Sequence, residues 1–395
     1  MKCELNTEMQ IVFVTETPHI GGGEVIMTDI AEHMMERGVH TTVLVPENGP
    51  LATHLTAKNV NVCEVSRPPL FSTSFYYGNN TFPNPFALVI SSFLSIIWLF
   101  RLYQFFRSTN PSVVHTVSTW SHVVAGLAAR LAGYPVIWHY QSIIVSDAGW
   151  GSYRWLMKLW ARIIPARIIC LSKIIASQFQ NHPALRNKTD VVWNFVDTSI
   201  YRPAIQNESM GKMVIGTVAR LTPWKGQDIA LRAAKILKEK GIQYTWVFAG
   251  DTKLGSEKYR NNLLSMVKQW GLEQNVTFLG YVDNMPEFYR SLDVLVHVPV
   301  KPEPFGMVVA EGIASGLPVI ASSGGGTECM IKLGGGFLVR SGNAKDIVAN
   351  LLKLIQFPQN RSSRSRQARY FAENNFSLKI YTDYWLAVYQ SVVPS

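Results

Sequence analysis

Two series of short β-branched segments, each alternating with helical patterns, constrain this chain more than any other feature. In the first half, Gln10–Glu16, His40–Pro46, Ser112–Val117, Pro135–Tyr140, Arg167–Ser172 and Asp190–Phe195 read as strands. In the second, Met213–Val218, Tyr244–Asp251, Val276–Gly280, Val294–Val298, Pro318–Ser322 and Gly336–Val339 do so. Strand–helix alternation argues for a parallel sheet with helices on both faces. Between the first two strands of the second series, Gln227–Lys240 reads as a helix. Ile229, Ala233, Ile236 and Leu237 line one face, and Gly241 stops it. The series are joined by Val196–Lys212, a polar stretch containing Pro203, and a length of 395 residues suits two domains. The expectation is α/β, with two Rossmann-like doubly wound domains facing across a cleft: 1–196, a linker at 197–212, and a second domain from 213. Ligands of such folds bind beyond the C-terminal strand ends.

Hydrophobic content of 47% with 16% charged residues excludes a disordered chain. Cys3, Cys63, Cys170 and Cys329 are scattered with no CxxC spacing, so neither a zinc site nor a disulfide framework is expected, and a reducing cytosol is the simplest setting. The polar opening, Met1 to Gln10, does not read as a signal peptide. Phe86–Phe100 is apolar apart from serines. At about fifteen residues it falls short of the roughly 20 that a spanning helix needs, so a buried helix, with or without one side against lipid, is expected.

Charge is unevenly spread. Residues 65–189 hold eleven Lys and Arg against one acid, Asp147, an excess equal to the whole net charge of +10. Such a field attracts anionic lipid, phosphate-bearing acceptors or nucleic acid. From Trp150 to Ile164, aromatic and basic residues interleave (Tyr153, Arg154, Trp155, Lys158, Trp160, Arg162), a mixture suited either to a lipid headgroup region or to a core helix with a basic edge. No recognised nucleic-acid motif accompanies the charge, so nucleic acid is not an expected partner.

Several groups carry chemistry. Gly21-Gly22-Gly23 follows the first strand and precedes a helix, which fits either a tight turn or a close backbone approach to an anion; the GxGxxG pattern is absent. Arg220 and Lys225 follow Met213–Val218, and a guanidinium fork with an ammonium can neutralise a departing diphosphate. Glu303 and Glu311 lie eight positions apart around Phe305-Gly306-Met307-Val308, where a helix opens. Free N–H groups there can face a phosphate. Glu311, two turns along, can accept from a ribose diol, and Glu303 can reach sugar hydroxyls. His139 ends a strand and should point into a cleft, whereas His115, His122 and His297 read as ordinary element residues. Glu328, after Gly324-Gly325-Gly326, can orient a basic residue. No carboxylate–histidine cluster has metal-ligand spacing and no DxD occurs, so two cations would replace a metal.

These residues resemble the retaining family 4 glycosyltransferases (glycosyl transferases group 1) of the GT-B fold. The matching pieces are Ala219-Arg220-Leu221 with Lys225-Gly226, Phe248-Ala249-Gly250-Asp251, Phe278-Leu279-Gly280-Tyr281-Val282, the Glu303 and Glu311 pair, Ala314 to Ala321, and Gly325-Gly326 with Glu328. Gly21 to Gly23, Val113-Val114-His115 and Asn194-Phe195-Val196-Asp197 extend the similarity across nearly the whole chain. The resemblance implies a catalytic set of His139, Arg220, Lys225 and Glu303. It implies donor contacts at Gly22, Gly23, Gly250, Tyr281, Phe305, Gly306, Met307, Val308 and Glu311. It also implies no metal and no cofactor beyond the nucleotide-sugar substrate, and a last helix, within 377–395, that returns from the 213–376 domain to the N-terminal one. Many members place an acid just after the strand-end histidine; here Tyr140-Gln141 follows, which leaves the acceptor open.

The expected activity is retaining transfer of a sugar from a nucleotide-diphosphate donor to a cell-envelope, polysaccharide or lipid-linked acceptor. The setting would be cytoplasmic, peripheral at the inner face of an anionic membrane surface. A two-domain sugar-nucleotide epimerase and a non-catalytic membrane-associated nucleotide-sugar-binding protein are the alternatives.

Overall fold

The computed structural model describes residues 9–393 apart from 69–73, 78–79, 84, 145–150, 205–211 and 254. Trp150, Asp147 and residues 205–211 of the expected linker therefore lie outside the described residues. The chain divides into two compact units, Met1–Val192 with Thr382–Ser395, and Trp193–Tyr381.

The first unit carries strands β1 (Gln10–Val14), β2 (His40–Val45), β3 (Asn61–Glu64), β4 (Ser74–Tyr77), β5 (Asn80–Pro83), β6 (Val113–Thr116), β7 (Val136–Tyr140), β8 (Arg167–Cys170) and β9 (Thr189–Val191). Its helices are α1 (Gly22–Glu36), α2 (Pro50–Ala57), α3 (Pro85–Thr109), α4 (Gly126–Ala132), α5 (Gly151–Ile163), α6 (Lys173–Gln180) and α7 (Pro183–Arg186). Seven strands form a sheet in the order β3-β2-β1-β6-β7-β8-β9, and β4 and β5 pair as a hairpin. Every ladder of the sheet is parallel. Ile11 to Val14, Val113 to Thr116 and Val136 to Tyr140 are buried without alternation, as a sheet covered on both faces requires. Five strands stand where the sequence places them and a sixth, β9, stops short at Val191; β3 and the hairpin are additions. β3 reads Asn-Val-Cys-Glu, too short and too polar to register as a strand, and it survives as a half-exposed edge.

The apolar segment near residue 90 differs from expectation. Its helix is 25 residues long, not fifteen, and only its inward side is buried. Arg101 and Arg107 end the apolar run but are good helix formers, so α3 continues through them. Among the described residues, Val89–Thr109 is the one stretch long and apolar enough to cross a membrane, with 28% of it buried.

The second unit carries β10 (Met213–Val218), β11 (Tyr244–Ala249), β12 (Val276–Gly280), β13 (Val294–His297), β14 (Val319–Ser322) and β15 (Phe337–Val339). They form a six-stranded parallel sheet in the order β12-β11-β10-β13-β14-β15. Its helices are α8 (Gln227–Glu239), α9 (Glu257–Gln269), α10 (Met285–Arg290), α11 (Met307–Ala314), α12 (Thr327–Leu333), α13 (Ala344–Gln356) and α14 (Pro358–Asn375). A last helix, α15 (Leu378–Gln390), begins in the second unit and ends in the first.

The division between units falls at Val192/Trp193, before the expected 196/197. Trp193 packs its ring 5.8 Å from both Phe371 and Phe376, and Val196 donates its N–H to the Phe376 carbonyl at 3.0 Å. The apolar run expected as one strand thus breaks after Val191, because its aromatic residues serve another core. Thr382–Ser395 belongs to the first unit for similar reasons. Arg37 bonds Thr382 and Asp383 at 2.7 and 2.9 Å, and Trp385 lies against His115.

Arg369 of α14 ties the start of the second unit to the far end of α11. Its guanidinium donates to the carbonyls of Thr198, Tyr201 and Ala314 at 2.8 to 2.9 Å. Removing it leaves those carbonyls without their charged donor. Arg369→Ala should therefore cost about 2–3 kcal/mol, read as a lowered urea midpoint for the second unit's transition. An unchanged midpoint would show that water replaces the guanidinium.

Candidate functional site

In the second unit the strand order reverses between β10 and β13, since β11 and β12 follow to one side and β14 and β15 to the other. Ligands of doubly wound sheets bind at this reversal, beyond the carboxyl ends of the strands. The loops leaving β10 and β13 are locked together there. Gly226 has φ of +73°, and a Cβ on it would lie 2.1 Å from the Val298 carbonyl oxygen, so only glycine lets the loops approach. Val300 N–H donates to the Trp224 carbonyl at 2.8 Å.

Glu303 lies at this junction. Lys225 Nζ stands 2.6 Å from Glu303 Oε2, and His297 Nε2 stands 3.3 Å from the same oxygen. The Glu303 carbonyl accepts the Gly326 N–H at 2.6 Å, which brings the loop after β14 into the same cluster. The Lys225 ammonium also lies 4.1 Å from the Trp224 ring centroid. Burial alone would push the carboxyl up. The His297 bond and the Lys225 charge outweigh it and bring the pKa down to about 2. Glu303 is thus a fixed anion whose Oε1 has no partner among the described residues. An ammonium has three donors, so Lys225 keeps two after serving Glu303. Sequence spacing assigns Lys225 and Glu303 separate tasks; the structure joins them and adds His297, an ordinary strand residue by sequence. His297 ends β13, and the strand-end rule applied to His139 would have found it.

Gly306, with φ of +90°, turns the chain into α11, and a Cβ there would press to 2.4 Å on Thr327 Cγ2. The first N–H groups of α11, at Met307 and Val308, lie ahead of any intrahelical acceptor and suit an anion. Phe305 is buried core, so only its backbone can meet a ligand. Two turns along, Glu311 accepts from Tyr289 Oη at 2.8 Å. Burial raises its pKa, and the Tyr289 bond only partly offsets this. Tyr201 packs edge-on to Tyr289 at 5.9 Å. Neither tyrosine was legible in the sequence as part of a site.

Arg220, Gly250 and Tyr281 follow three adjacent strands. Ala219 N–H bonds the Ala249 carbonyl, and Gly250 N–H bonds that of Gly280 at 2.7 Å. Arg220 is exposed, and its guanidinium has no partner among the described residues; Tyr281 is 71% exposed. Glu328 orients neither Arg220 nor Lys225. It pairs with Lys332 at 2.7 Å and accepts from Gly324 N–H at 3.2 Å.

In the first unit, α1 opens at Gly22 with Gly23 next, so both N–H groups are at the helix start. The same turn carries Glu24, bonded by Thr15 Oγ1 at 3.1 Å, so an anion arriving there meets a resident carboxylate. Gln141 Nε2 donates to the Gly23 carbonyl at 3.2 Å and lies 3.4 Å from His139 Nδ1. His139 stands one residue before the end of β7, but its ring has no solvent exposure; His115 and Trp385 sit edge-on at 5.3 and 4.9 Å. Burial brings its pKa down to about 3, and its Nε2 has no partner among the described residues. It is a neutral imidazole with one ring nitrogen unengaged. Glu16, just past β1, accepts from Ser121 N–H at 3.2 Å, and burial raises its pKa.

Both halves of the chain match family models. Residues 20–200 match the one described as Glycosyltransferase Family 4, and residues 202–371 match Glycosyl transferases group 1. Spore coat protein SA of Bacillus subtilis (strain 168) is 29% identical over 245 residues, 57% of this chain and 65% of that protein. The chain thus spans just under two thirds of that relative's length. The UDP-Gal:alpha-D-GlcNAc-diphosphoundecaprenol alpha-1,3-galactosyltransferase of Escherichia coli is 26% identical over 277 residues, 65% of this chain and 69% of that one. Among solved structures, Anabaena Alr3699/HepE in complex with UDP aligns with a TM-score of 0.82 at 22% identity, covering 97% of this chain and 100% of that one. At that identity the likeness speaks for the fold.

The folded pKa of Glu303, about 2, lies below its ordinary 4.5. Its bonds therefore contribute stability above pH 4.5 that is lost as pH falls toward 2. Glu303→Gln should be less stable than wild type at neutral pH by roughly 2–3 kcal/mol. The gap should close across that acid window in urea titrations. A gap that does not change with pH would contradict the ionised pairing.

Proposed function

This chain belongs to the family 4 glycosyltransferases of the GT-B fold, and on that premise we propose that it moves a sugar, with retention, from a nucleoside-diphosphate donor to a lipid-linked or other cell-envelope glycan. The observation that carries the reading is the Lys225–Glu303–His297 cluster at the strand-order reversal, next to the start of α11. It sets a fixed anion with an open oxygen beside a cation with spare donors and free helix N–H groups. A sugar diphosphate needs that combination.

In the proposed reaction the bond from the anomeric carbon to the β-phosphate oxygen breaks. A bond to the acceptor oxygen forms on the same face, and the acceptor proton passes to the departing phosphate. Arg220 and Lys225 neutralise the charge that develops on the diphosphate, aided by the Met307 and Val308 N–H groups. Glu303 Oε1 accepts from a hydroxyl of the transferred sugar, while His297 and Lys225 hold its other oxygen. Glu311, set by Tyr289, takes the ribose diol. Gly250 and Tyr281 border the nucleotide. Two named proteins support uridine as the donor base: the E. coli relative, named for UDP-Gal and a diphosphoundecaprenol acceptor, and the Anabaena structure with UDP. An acceptor of that kind sets the work at the cytoplasmic face of a membrane. Metal independence is part of the proposal, because Arg220 and Lys225 supply the positive charge that the departing diphosphate needs.

The test is donor hydrolysis by the full chain across UDP- and GDP-sugars, then transfer to undecaprenyl-diphosphate-linked glycans. Conversion of a donor to its epimer without acceptor would overturn the reading. Losing one electrostatic donor costs on the order of 2.7–4 kcal/mol of barrier, so Lys225→Ala should lower turnover about a hundredfold or more. EDTA should leave the wild-type rate unchanged. Glu311→Ala should chiefly raise KM, because the ribose does not react, whereas Glu303→Ala should chiefly lower kcat. Equal rises in KM alone from both variants would refute that division.

A further inference from the structure

α3 is inverted relative to a helix of a water-facing domain. Its inward side carries Ala87, Ser91 and Ser95, all buried, before Trp98, Leu102 and Phe106. Its outward side carries Phe86, Val89, Phe93, Ile96 and Phe100, exposed by 81, 69, 68, 61 and 57%. Their spacing of three, four and seven makes one stripe, about 21 Å long at 1.5 Å per residue. A continuous exposed apolar stripe marks an interaction site, where scattered single residues would not.

Two neighbouring helices extend the surface. From β1 to β3 the chain steps one way across the sheet; from β3 through β6, β7 and β8 it steps the other way. Right-handed crossovers then put α3, α4 and α5 on the same face, opposite α1 and α2. α3 packs on α4. On α4, Leu131 is exposed; on α5, Trp155, Leu156 and Ile163 are exposed while Met157 and Ala161 point inward. The three helices contain Arg101, Arg107, Arg130, Arg154, Lys158 and Arg162, and no Asp or Glu.

We propose that this face docks on an anionic lipid bilayer, with α3 lying in the interface and its Phe86–Phe100 stripe at the acyl boundary. Charge decides the occupant. A second copy would bring the same basic face against this one, and like charges oppose it. Anionic headgroups complement both the sign and the apolar stripe. Spanning is disfavoured, because it would carry Arg101 and Arg107 into hydrocarbon. The inference goes beyond the proposed reaction and does not depend on it.

The test is co-sedimentation of the full chain with vesicles of phosphatidylcholine, alone or mixed with phosphatidylglycerol, at low and high salt. The expected result is binding to the anionic vesicles, weakened by salt and released by alkaline carbonate. The double variant Phe93→Ser, Ile96→Ser should weaken partitioning by roughly tenfold or more. Lys158→Glu with Arg162→Glu should abolish the preference for anionic lipid. Both should keep the wild-type melting temperature, which separates lost docking from lost folding. Equal binding to both vesicles, no binding at low salt, retention through carbonate, or unchanged binding by the variants would overturn the proposal. So would a dimer that forms without lipid and dissolves in the serine variant. Failure of every donor in the hydrolysis screen would leave the vesicle result standing, so the two readings fail separately.

Discussion

Glu303 stands on a loop with no regular structure, yet its carboxylate has one position. Lys225 reaches it from the loop after β10, His297 from the end of β13, and Gly326 fixes its backbone from the loop after β14. Three segments far apart in sequence converge on one residue, and each can do so only because a parallel sheet aligns its carboxyl ends. Pairing also resolves an electrostatic difficulty. A carboxylate beside a diphosphate would repel it, but one already neutralised by a cation presents an acceptor without a net charge. α11 then inherits its place from both ends, through the Gly306 turn at its start and Arg369 on its last carbonyl.

Much of this was legible in the sequence. All six strands of the second sheet lie where β-branched runs end in glycine or polar residues, because buried parallel strands must be continuously apolar. The Glu303 and Glu311 spacing also reads directly, since a helix start fixes what lies eight residues apart. What the sequence hid has physical causes. Tyr289 reaches Glu311 from α10, and Tyr201 packs on Tyr289 from the segment after the unit boundary, so no local spacing reveals them. Trp193 looks like the end of a strand because core aromatics and strand aromatics are the same residue types. For α3, hydrophobicity alone does not separate the side that is buried from the side that is exposed. The sequence reports that a face is apolar; only the fold reports which way it is turned.

The first unit encloses three imidazoles, and this sets how it meets acid. His115, His122 and His139 are buried, and burial holds His115 and His122 well below 6.5 and brings His139 to about 3. Tyr389 and Thr116 serve the first two, so each has a partner that suits the neutral ring. In the unfolded chain the same rings take up protons near their ordinary value. Below about 6.5 the unfolded state therefore gains protons that the folded unit refuses, and each ring removes about 1.4 kcal/mol per pH unit. Three such rings in one small core make the first unit a proton-counting element. Mild acid would loosen it well before Glu303, held at about 2, had changed its charge.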